Sequence, residues 1–358
     1  MGRMGLRPRG NIRRQLMTCV RAAPCGVFLW CCLFSSAMCA AGDPGGFLPG
    51  RRVLLDAHNC YPYKTLYADR VTRALATGTP LAIEMDLAWC TVPDPAQPRL
   101  VVAHAKQCVG GEPTLREYFF DRIRPVVEKA LTEGNHGDWP LITLNINDLR
   151  GDDPAFLPAL WDLLGEFEPW LCSAIKTDNP ADLSPLDVKP VLVLTSGEDK
   201  AVKAFYDSVP VGGKLRAFGG ARTVSQSKDA QAQEPFESPD LAKILPEKAS
   251  NFRRWWNHSW QDIEKEGQRR AGDWTPQKAA RLKAFVDYAH KMGYWVRFYT
   301  LNGHGAEESK NGWSPDYNFG SPDTVKIRWK AAAEAGVDYI ASDQYEDLAG
   351  VLKPMRGK

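Results

Sequence analysis

Four side chains that can move protons or bind a cation stand near the ends of three apolar, strand-like segments. His58 ends the first segment and His104 ends the third, so the two could form an acid–base pair. Glu84 and Asp86 lie near the end of the second, at i and i+2 on one face of a strand, and carboxylates suit Ca²⁺ or Mg²⁺. A single strand-end histidine is often only a hydrogen-bonded structural residue. The combination, however, predicts a metal-assisted hydrolase.

Apolar segments alternate with amphipathic ones after residue 41, which predicts strands alternating with helices. The predicted strands are Arg52–His58, Leu81–Ala88, Leu100–Ala105, Leu141–Asp148, Pro190–Thr195, Lys214–Phe218, Tyr294–Leu301 and Val337–Ser342. Helical patterns lie between most of them, at Tyr67–Thr77, Thr114–Leu131, Ala155–Leu171, Lys200–Ser208, Gln277–Met292 and Thr324–Ala335. This order predicts the α/β class, most simply a single, irregular (β/α)8 TIM barrel with its catalytic groups at the carboxyl ends of the strands.

The first 41 residues differ in composition from the rest of the chain. They contain six arginines, no lysine and no acidic residue, followed by a short apolar run and small residues ending at Ala41. This pattern is typical of a signal peptide, so we expect residues 1–41 to direct secretion or periplasmic export. A lipid anchor on Cys39 is disfavoured because Met38 fits a lipoprotein cleavage box badly. We expect the barrel domain over residues 49–358, with 219–275 as an insertion or long-loop region.

Composition and charge exclude several functional classes. The chain has 358 residues, of which 44% are hydrophobic and 25% charged, which is ordinary for a globular protein rather than a disordered one. Beyond residue 41 it carries 39 basic and 43 acidic residues. A mildly acidic body has no electrostatic footprint for nucleic acid. Neither GxGxxG nor a Walker sequence is present, and the sequence leaves the oligomeric state open.

Four cysteines lie outside the leader: Cys60, Cys90, Cys108 and Cys172. None forms a CxxC pair, so a structural zinc site is not expected. Cys90 and Cys108 lie at the ends of two predicted strands and could form a disulfide in an oxidising compartment. Two unpaired thiols are an equal alternative, because connectivity does not follow from sequence.

Several segments carry a resemblance to a known family: His58-Asn59, Ile83–Leu87, Val101–His104, and near the C-terminus Val296–Asn302 and Gly336–Asp343. They resemble the phospholipase C-like phosphodiesterase superfamily, which includes glycerophosphodiester phosphodiesterases and phosphatidylinositol-specific phospholipases C. The closing segment is also similar to a branch that includes fungal altered-inheritance-of-mitochondria proteins. The resemblance implies a TIM barrel that acts on a small phosphodiester or a phospholipid head group, by hydrolysis or by a cyclising lyase reaction.

The resemblance also implies roles for individual residues. His58 and His104 become the acid–base pair, and Glu84 and Asp86 become metal ligands. Asn59 directly after His58 is similar to the calcium-dependent phospholipases C, so it implies a further ligand and Ca²⁺ rather than Mg²⁺.

One strand departs from the family pattern. Where a glutamate ligand is usual, the fourth predicted strand carries Asn145 and Asn147, whose amide oxygens could still bind calcium with one negative charge fewer. Arg297, near the end of a later strand, could neutralise charge on the phosphoryl oxygens, although an ion pair on the barrel surface is an equal alternative.

Two other functions and one membrane feature stay open at this point. A non-catalytic, ligand-binding barrel is favoured by the missing glutamate, whereas a glycoside hydrolase fits poorly because carboxylates at i and i+2 do not flank a bond from opposite sides. Trp255, Trp256 and Trp260 could anchor the protein peripherally to a lipid surface. Packing within the barrel domain is the more common role for such tryptophans.

Overall fold

Eight parallel strands close into a barrel in the computed structural model, which describes residues 47–62, 68–104, 108–146, 148–223, 238–305 and 318–355. Around the barrel the strands follow one another as β1 (Leu54–Ala57), β14 (Tyr339–Ser342), β13 (Trp295–Tyr299), β12 (Arg253–Ser259), β11 (Phe218–Gly220), β9 (Val191–Thr195), β5 (Ile142–Ile146) and β2 (Leu81–Glu84). Every neighbouring pair is parallel, so all eight carboxyl ends meet at one mouth. The predicted (β/α)8 TIM barrel is confirmed.

The helices lie where the amphipathic segments predict them. The described helices are α1 (Arg70–Ala76), α2 (Asp121–Glu133), α3 (Phe156–Glu166), α4 (Asp199–Val202), α5 (Leu241–Ile244), α6 (Pro276–Lys291), α7 (Pro322–Ala335) and α8 (Tyr345–Leu352). Local chemistry sets the ends of α7, since the Ser321 side chain accepts a hydrogen bond from Thr324 N and Gly336 ends the helix at φ 86°. The sequence reading missed α5, a single turn within 219–275, and α8, a two-turn helix directly after the last strand.

The third predicted strand is not part of the barrel. The segment forms β4 (Arg99–Val102), which pairs antiparallel with β3 (Leu87–Cys90) in a small outer sheet completed by β6 (Leu149–Arg150). Only residues 91–98 connect β3 to β4, which is enough for a hairpin but too short for the crossover that a parallel pair needs. The predicted strand Leu81–Ala88 is likewise two strands, β2 and β3. His104 therefore reaches the mouth from a hairpin outside the barrel.

The barrel takes its sixth strand from a region where the sequence predicts an insertion. β12 lies within residues 219–275, and it was missed because Arg, Asn and His interrupt its apolar pattern. The predicted strand Lys214–Phe218 also divides, because β10 (Lys214–Leu215) joins a second small sheet with β7 (Ser173–Ile175) and β8 (Leu186–Asp187). Only the last residue of this predicted strand, Phe218, belongs to the barrel, where it begins β11.

The tryptophans of this region are buried. Trp255, Trp256 and Trp260 are 1%, 1% and 0% exposed, respectively. Trp255 donates a hydrogen bond from Nε1 to the carbonyl of Thr195 at 2.9 Å, and Trp256 stacks on Phe285 of α6. The interpretation of these three as a lipid-surface anchor was wrong, because none of them reaches solvent.

One large apolar cluster joins the strands to the helices around them, with members such as Leu55, Val296, Trp329 and Leu348. The signal peptide predicted at 1–41 lies outside the described residues. In the part of the chain that is described, no helix is both long and apolar enough to cross a membrane.

Candidate active site at the barrel mouth

The site is built where β1, β2 and β14 end side by side. β1 pairs with both β2 and β14, so the residues that follow these strands are neighbours. His58 and Asn59 follow β1, Glu84 ends β2, and Asp343 follows β14. Asn59 adopts a left-handed backbone, with φ 50°, and this turn directs the chain back across the mouth.

His58 is held by a carboxylate from the far end of the sequence. Its Nδ1 lies 3.1 Å from Asp343 Oδ1, while the other oxygen of Asp343 accepts a hydrogen bond of 2.6 Å from Asn302 Nδ2. Burial disfavours the charged imidazolium, but Glu84 and Asp343 outweigh burial and raise the pKa of His58. Burial likewise opposes the charge of Asp343, yet His58 and Arg70 lower the pKa of that carboxyl. The two groups therefore stabilise each other as an ion pair.

Asn59 makes contacts through its backbone and its side chain. Its backbone N–H donates to Glu84 Oε2 at 2.6 Å, and its Nδ2 donates to Asp343 Oδ1 at 3.0 Å. Its Oδ1, the atom that a metal would use, accepts a hydrogen bond from the Tyr61 hydroxyl. Binding of a cation through Asn59 would therefore require Tyr61 to release that oxygen.

Glu84 and Asp86 form a buried carboxylate pair beside the two histidines. Glu84 Oε2 lies 3.9 Å from His58 Nε2, and Asp86 Oδ2 lies 3.7 Å from His104 Nε2. Burial, followed by the negative charges of Glu84 and Asp148, raises the pKa of Asp86 well above its ordinary range. A buried carboxyl group whose ionisation is disfavoured in this way, next to a second buried carboxylate, is suited to a divalent cation, which would supply the missing positive charge.

Beneath the pair lies a second polar layer inside the barrel. Arg297 donates from Nε to Asp56 and from Nη1 to Asn257 Oδ1 at 2.9 Å, and its Nη2 lies 3.9 Å from Glu84 Oε1. Arg297 is 1% exposed, so the structure places it under Glu84 and away from the open mouth. Arg297 does form an ion pair, as the alternative left open for it predicts, but the pair with Asp56 is buried inside the barrel and not on its surface.

Asn145 faces this layer from β5, directly beside Glu84 in the strand register. Its Nδ2 donates to Asp56 Oδ2 at 3.4 Å, while its buried Oδ1 has no hydrogen-bond partner among the described residues. A buried, unpaired amide oxygen next to a carboxylate is a suitable ligand for a hard cation. Asn147, the other predicted amide ligand, lies outside the described residues.

His104 is the exposed member of the histidine pair, with half of its side chain accessible. Its ring stacks on Tyr61 at 5.8 Å between centroids, and Arg150 Nη2 lies 3.2 Å from its Nε2. Partial burial and the charge of Arg150 lower the pKa of His104. Because Arg150 can only donate a hydrogen bond, Nε2 of His104 accepts it, and His104 is held in its neutral form.

Sequence reasoning missed two residues of this site. Asp343 ends the closing segment that carried part of the family resemblance, and its position directly after the last barrel strand was a signal that could have identified it. Arg150 lies on β6, which pairs with β3 of the outer sheet rather than with any barrel strand, so no strand-end rule points to it.

The residues present fit a hard divalent cation on the evidence of the Asn145 oxygen and the two carboxylates. Within the described part of the chain, Glu84 and Asp86 do not belong to a group of three His, Cys, Asp or Glu ligands whose donor atoms all lie within 4.8 Å of one another. The coordination sphere would therefore need amide, water or substrate oxygens, which Ca²⁺ accepts readily.

Comparison with known proteins gives similarities at the level of solved structures. No protein-family model and no curated protein matches the chain. A glycerophosphoryl diester phosphodiesterase from Parabacteroides distasonis is 13% identical with a TM-score of 0.40, over 85% of this chain and 87% of that one. A calcium-dependent phosphoinositol-specific phospholipase C from Pseudomonas sp. is 12% identical with a TM-score of 0.43, over 85% and 93%.

Two further similarities complete the comparison. A phosphatidylinositol-specific phospholipase C from Listeria monocytogenes is 10% identical with a TM-score of 0.47, over 87% of this chain and 96% of that one. A 7,8-dihydropteroate synthase from Vibrio fischeri is 11% identical with a TM-score of 0.36, over 85% and 92%. The site of this chain contains two histidines whose pKa values are shifted in opposite directions, each close to one carboxylate of a buried pair.

Proposed function

We propose that this protein is a metal-assisted phosphoric diester hydrolase or lyase that acts on glycerophosphodiesters or phospholipid head groups. One observation carries the proposal. His58 Nε2 lies 3.9 Å from Glu84, and His104 Nε2 lies 3.7 Å from Asp86. A diester bound at these two carboxylates through a cation would therefore lie within reach of both rings.

The two histidines differ in the protonation state that their surroundings favour. Asp343 orients His58 through Nδ1 and stabilises its charged form, which leaves Nε2 directed towards Glu84. Arg150 favours the neutral form of His104. Cleavage of a diester needs one group that deprotonates the attacking water or substrate hydroxyl and another that protonates the leaving alkoxide. A pair of rings tuned in opposite directions meets that need.

Glu84 and Asp86, with the amide oxygens of Asn59 and Asn145, would hold the cation, and Asn147 is the remaining candidate ligand. Ca²⁺ is favoured over Mg²⁺ because a mixed set of carboxylate and amide oxygens suits a larger, more flexible coordination sphere. The bound cation would neutralise negative charge on the phosphoryl oxygens. Arg297 keeps Glu84 and Asp56 in place from below, so its contribution is to position a ligand rather than to contact the phosphate.

The pattern of residues 1–41 supports export of the protein to the periplasm or the cell exterior. Contact with a membrane surface would have to come from residues other than the three buried tryptophans.

The test is hydrolysis of bis(p-nitrophenyl) phosphate by the purified protein, first with EDTA and then with added Ca²⁺ or Mg²⁺. We expect activity that EDTA abolishes and that Ca²⁺ restores better than Mg²⁺. His136→Ala is a matched control, because His136 is an exposed residue whose ring stacks on Trp139. Full activity in EDTA would refute the metal-assisted mechanism.

One observation favours a second candidate, a non-catalytic barrel that binds a phosphodiester without cleaving it. The position beside Glu84 is held by Asn145, which lacks the negative charge of an acidic ligand. Calcium binding by calorimetry without turnover of nitrophenyl, glycerol and inositol phosphodiesters would support this candidate over the hydrolase.

A further inference from the structure

The hairpin that carries His104 has a small apolar cluster of its own, separate from the barrel core. The cluster consists of Ala88, Cys90, Val101 and Ala103, with the partly buried Cys108 against it. These side chains are small, so their packing contributes less stabilisation than that of a large core residue. β4 leads from this cluster directly to His104.

Two thiols meet within this cluster. The sulfur atoms of Cys90 and Cys108, together with a carboxylate oxygen of Glu112, all lie within 4.8 Å of one another. Both cysteines are free thiols in the structure. Cys90 is 1% exposed and donates from Sγ to the carbonyl of Val92 at 3.4 Å, whereas Cys108 is partly exposed and can be reached from solvent.

We propose that Cys90 and Cys108 form a reversible disulfide that closes a ring around β4 and His104 and so clamps the hairpin that presents His104 to Asp86. The bond itself is independent of the proposed function, while its effect on turnover rests on that function.

The oxidation balances with a small disulfide such as oxidised glutathione as the two-electron acceptor. The accessible Cys108 thiolate attacks the glutathione disulfide, forms a mixed disulfide and releases one glutathione thiolate. The Cys90 thiolate then displaces the second glutathione and completes the protein disulfide. Two protein thiols thus lose two electrons and two protons, and one molecule of oxidised glutathione takes them up and becomes two molecules of reduced glutathione.

A disulfide fits this cluster better than a metal site. Zinc takes four ligands, and the described residues supply a group of three here. The Glu112 carboxylate is already engaged by backbone amides, with Val109 N at 2.7 Å from one oxygen and Gly110 N at 2.9 Å from the other. Burial and the neighbouring Cys90 raise the pKa of Cys108 to about 12. This disfavours the Cys108 thiolate, which both metal binding and attack on a disulfide need, so the oxidation is expected to proceed faster as the pH is raised.

The clamp would add to polar contacts that already hold this segment. Arg99 donates to the carbonyls of Gly110 and Glu112 at 3.0 Å and 3.3 Å, so the chain that returns from His104 is fixed to β4 at the end far from the mouth. Cys90 lies opposite Arg99 in the strand register, so a disulfide to Cys108 would add a covalent link between β3 and this same segment. Since small misplacements of a catalytic group are costly, we expect the oxidised protein to turn over about three- to tenfold faster than the reduced one.

The test treats the full-length protein with oxidised glutathione in the presence of EDTA, then maps the cysteines by alkylation and mass spectrometry. We expect a peptide pair joined between Cys90 and Cys108, which dithiothreitol separates, and slower amide hydrogen exchange over residues 99–103 in the oxidised form. Cys108→Ser should show neither effect, and Val109→Ala, an exposed neighbour, should show both.

Three results would overturn the clamp. They are full alkylation of both cysteines after oxidation, a reaction that stops at glutathionylated Cys108, and protection from alkylation that depends on added zinc.

Turnover of bis(p-nitrophenyl) phosphate is then compared for the oxidised and reduced forms, with calcium restored. If neither the oxidised nor the reduced protein is active, the proposed function fails. The joined Cys90–Cys108 peptides would still support the disulfide itself. If the linked form is active but no faster than the reduced one, the clamp has no effect on His104 and that part is refuted.

Discussion

Asp343 Oδ1 lies 3.1 Å from His58 Nδ1, and this contact joins residues 285 positions apart in the chain. The pairing of β1 with β14 makes it possible, because the first and last barrel strands are neighbours once the barrel closes. The same carboxylate also accepts hydrogen bonds from the side-chain amides of Asn59 and Asn302, so it links the segments that follow β1 and β13 at the mouth.

Removing the charge of Asp343 should lower both the rate and the pKa of His58. Asp343 raises the pKa of His58, so Asp343→Asn lowers it, and the limb of the pH–rate profile that reports His58 should shift to lower pH. We expect kcat to fall about 10- to 100-fold at neutral pH, which a pH–rate profile of purified variants would measure. Asp347→Asn, on the exposed side of α8, is the control. An unchanged profile would mean that the carboxylate does not act on His58.

Arg150 should lower the pKa of His104, whereas Asp343 raises the pKa of His58. Its charge lowers the pKa of His104, so Arg150→Ala should raise that pKa and move the corresponding limb to higher pH. Arg150→Lys keeps the charge and should shift the limb less. A titration of the His104 imidazole by NMR would check the same point directly. A downward shift in Arg150→Ala would contradict the assignment.

Asp86 should lower the stability of the folded protein when no metal is bound. Its pKa is raised in the folded protein, so its stabilising form is the protonated one, and that contribution is lost as the pH rises through the folded pKa. At pH 7 in EDTA, Asp86→Asn should therefore raise the melting temperature. The same variant should bind calcium at least about tenfold more weakly in calorimetry, because it removes a charged ligand. A lower melting temperature in EDTA would show that Asp86 is stabilised by Arg150 instead.

Arg297 should contribute to the stability of the fold, through its ion pair with Asp56, rather than bind the phosphate. Arg297→Met would leave Asp56 buried without its main partner, which costs about 3–5 kcal/mol of unfolding free energy. The double variant Arg297→Met, Asp56→Asn should recover much of that loss, because it removes the isolated charge. Urea denaturation would measure both. Equal losses in the single and double variants would argue against charge burial as the cause.

The sequence predicts the barrel and the site residues on β1 and β2 because both depend on local patterns. Alternating apolar and amphipathic segments predict the elements, and polar residues at or directly after the ends of apolar runs predict Glu84 and His58. The placement of His104 was not predictable by that route, since strand direction depends on the length of the connection after β3. β12 was not predicted, because polar residues that face the barrel interior interrupt its apolar pattern. Asn257, which accepts a hydrogen bond from Arg297, is one of them. Arg150 and Asp343 enter the site only through long-range pairing.

The most direct test of the account is the turnover of bis(p-nitrophenyl) phosphate, with calcium, by His58→Ala, His104→Ala and the double variant. If the two histidines act together on one bound diester, each single variant should lose about 10²–10⁴ in kcat. The double variant should then lose little more than the worse single one, because the residues act as a unit. Turnover at the wild-type rate in either single variant would contradict the acid–base pair.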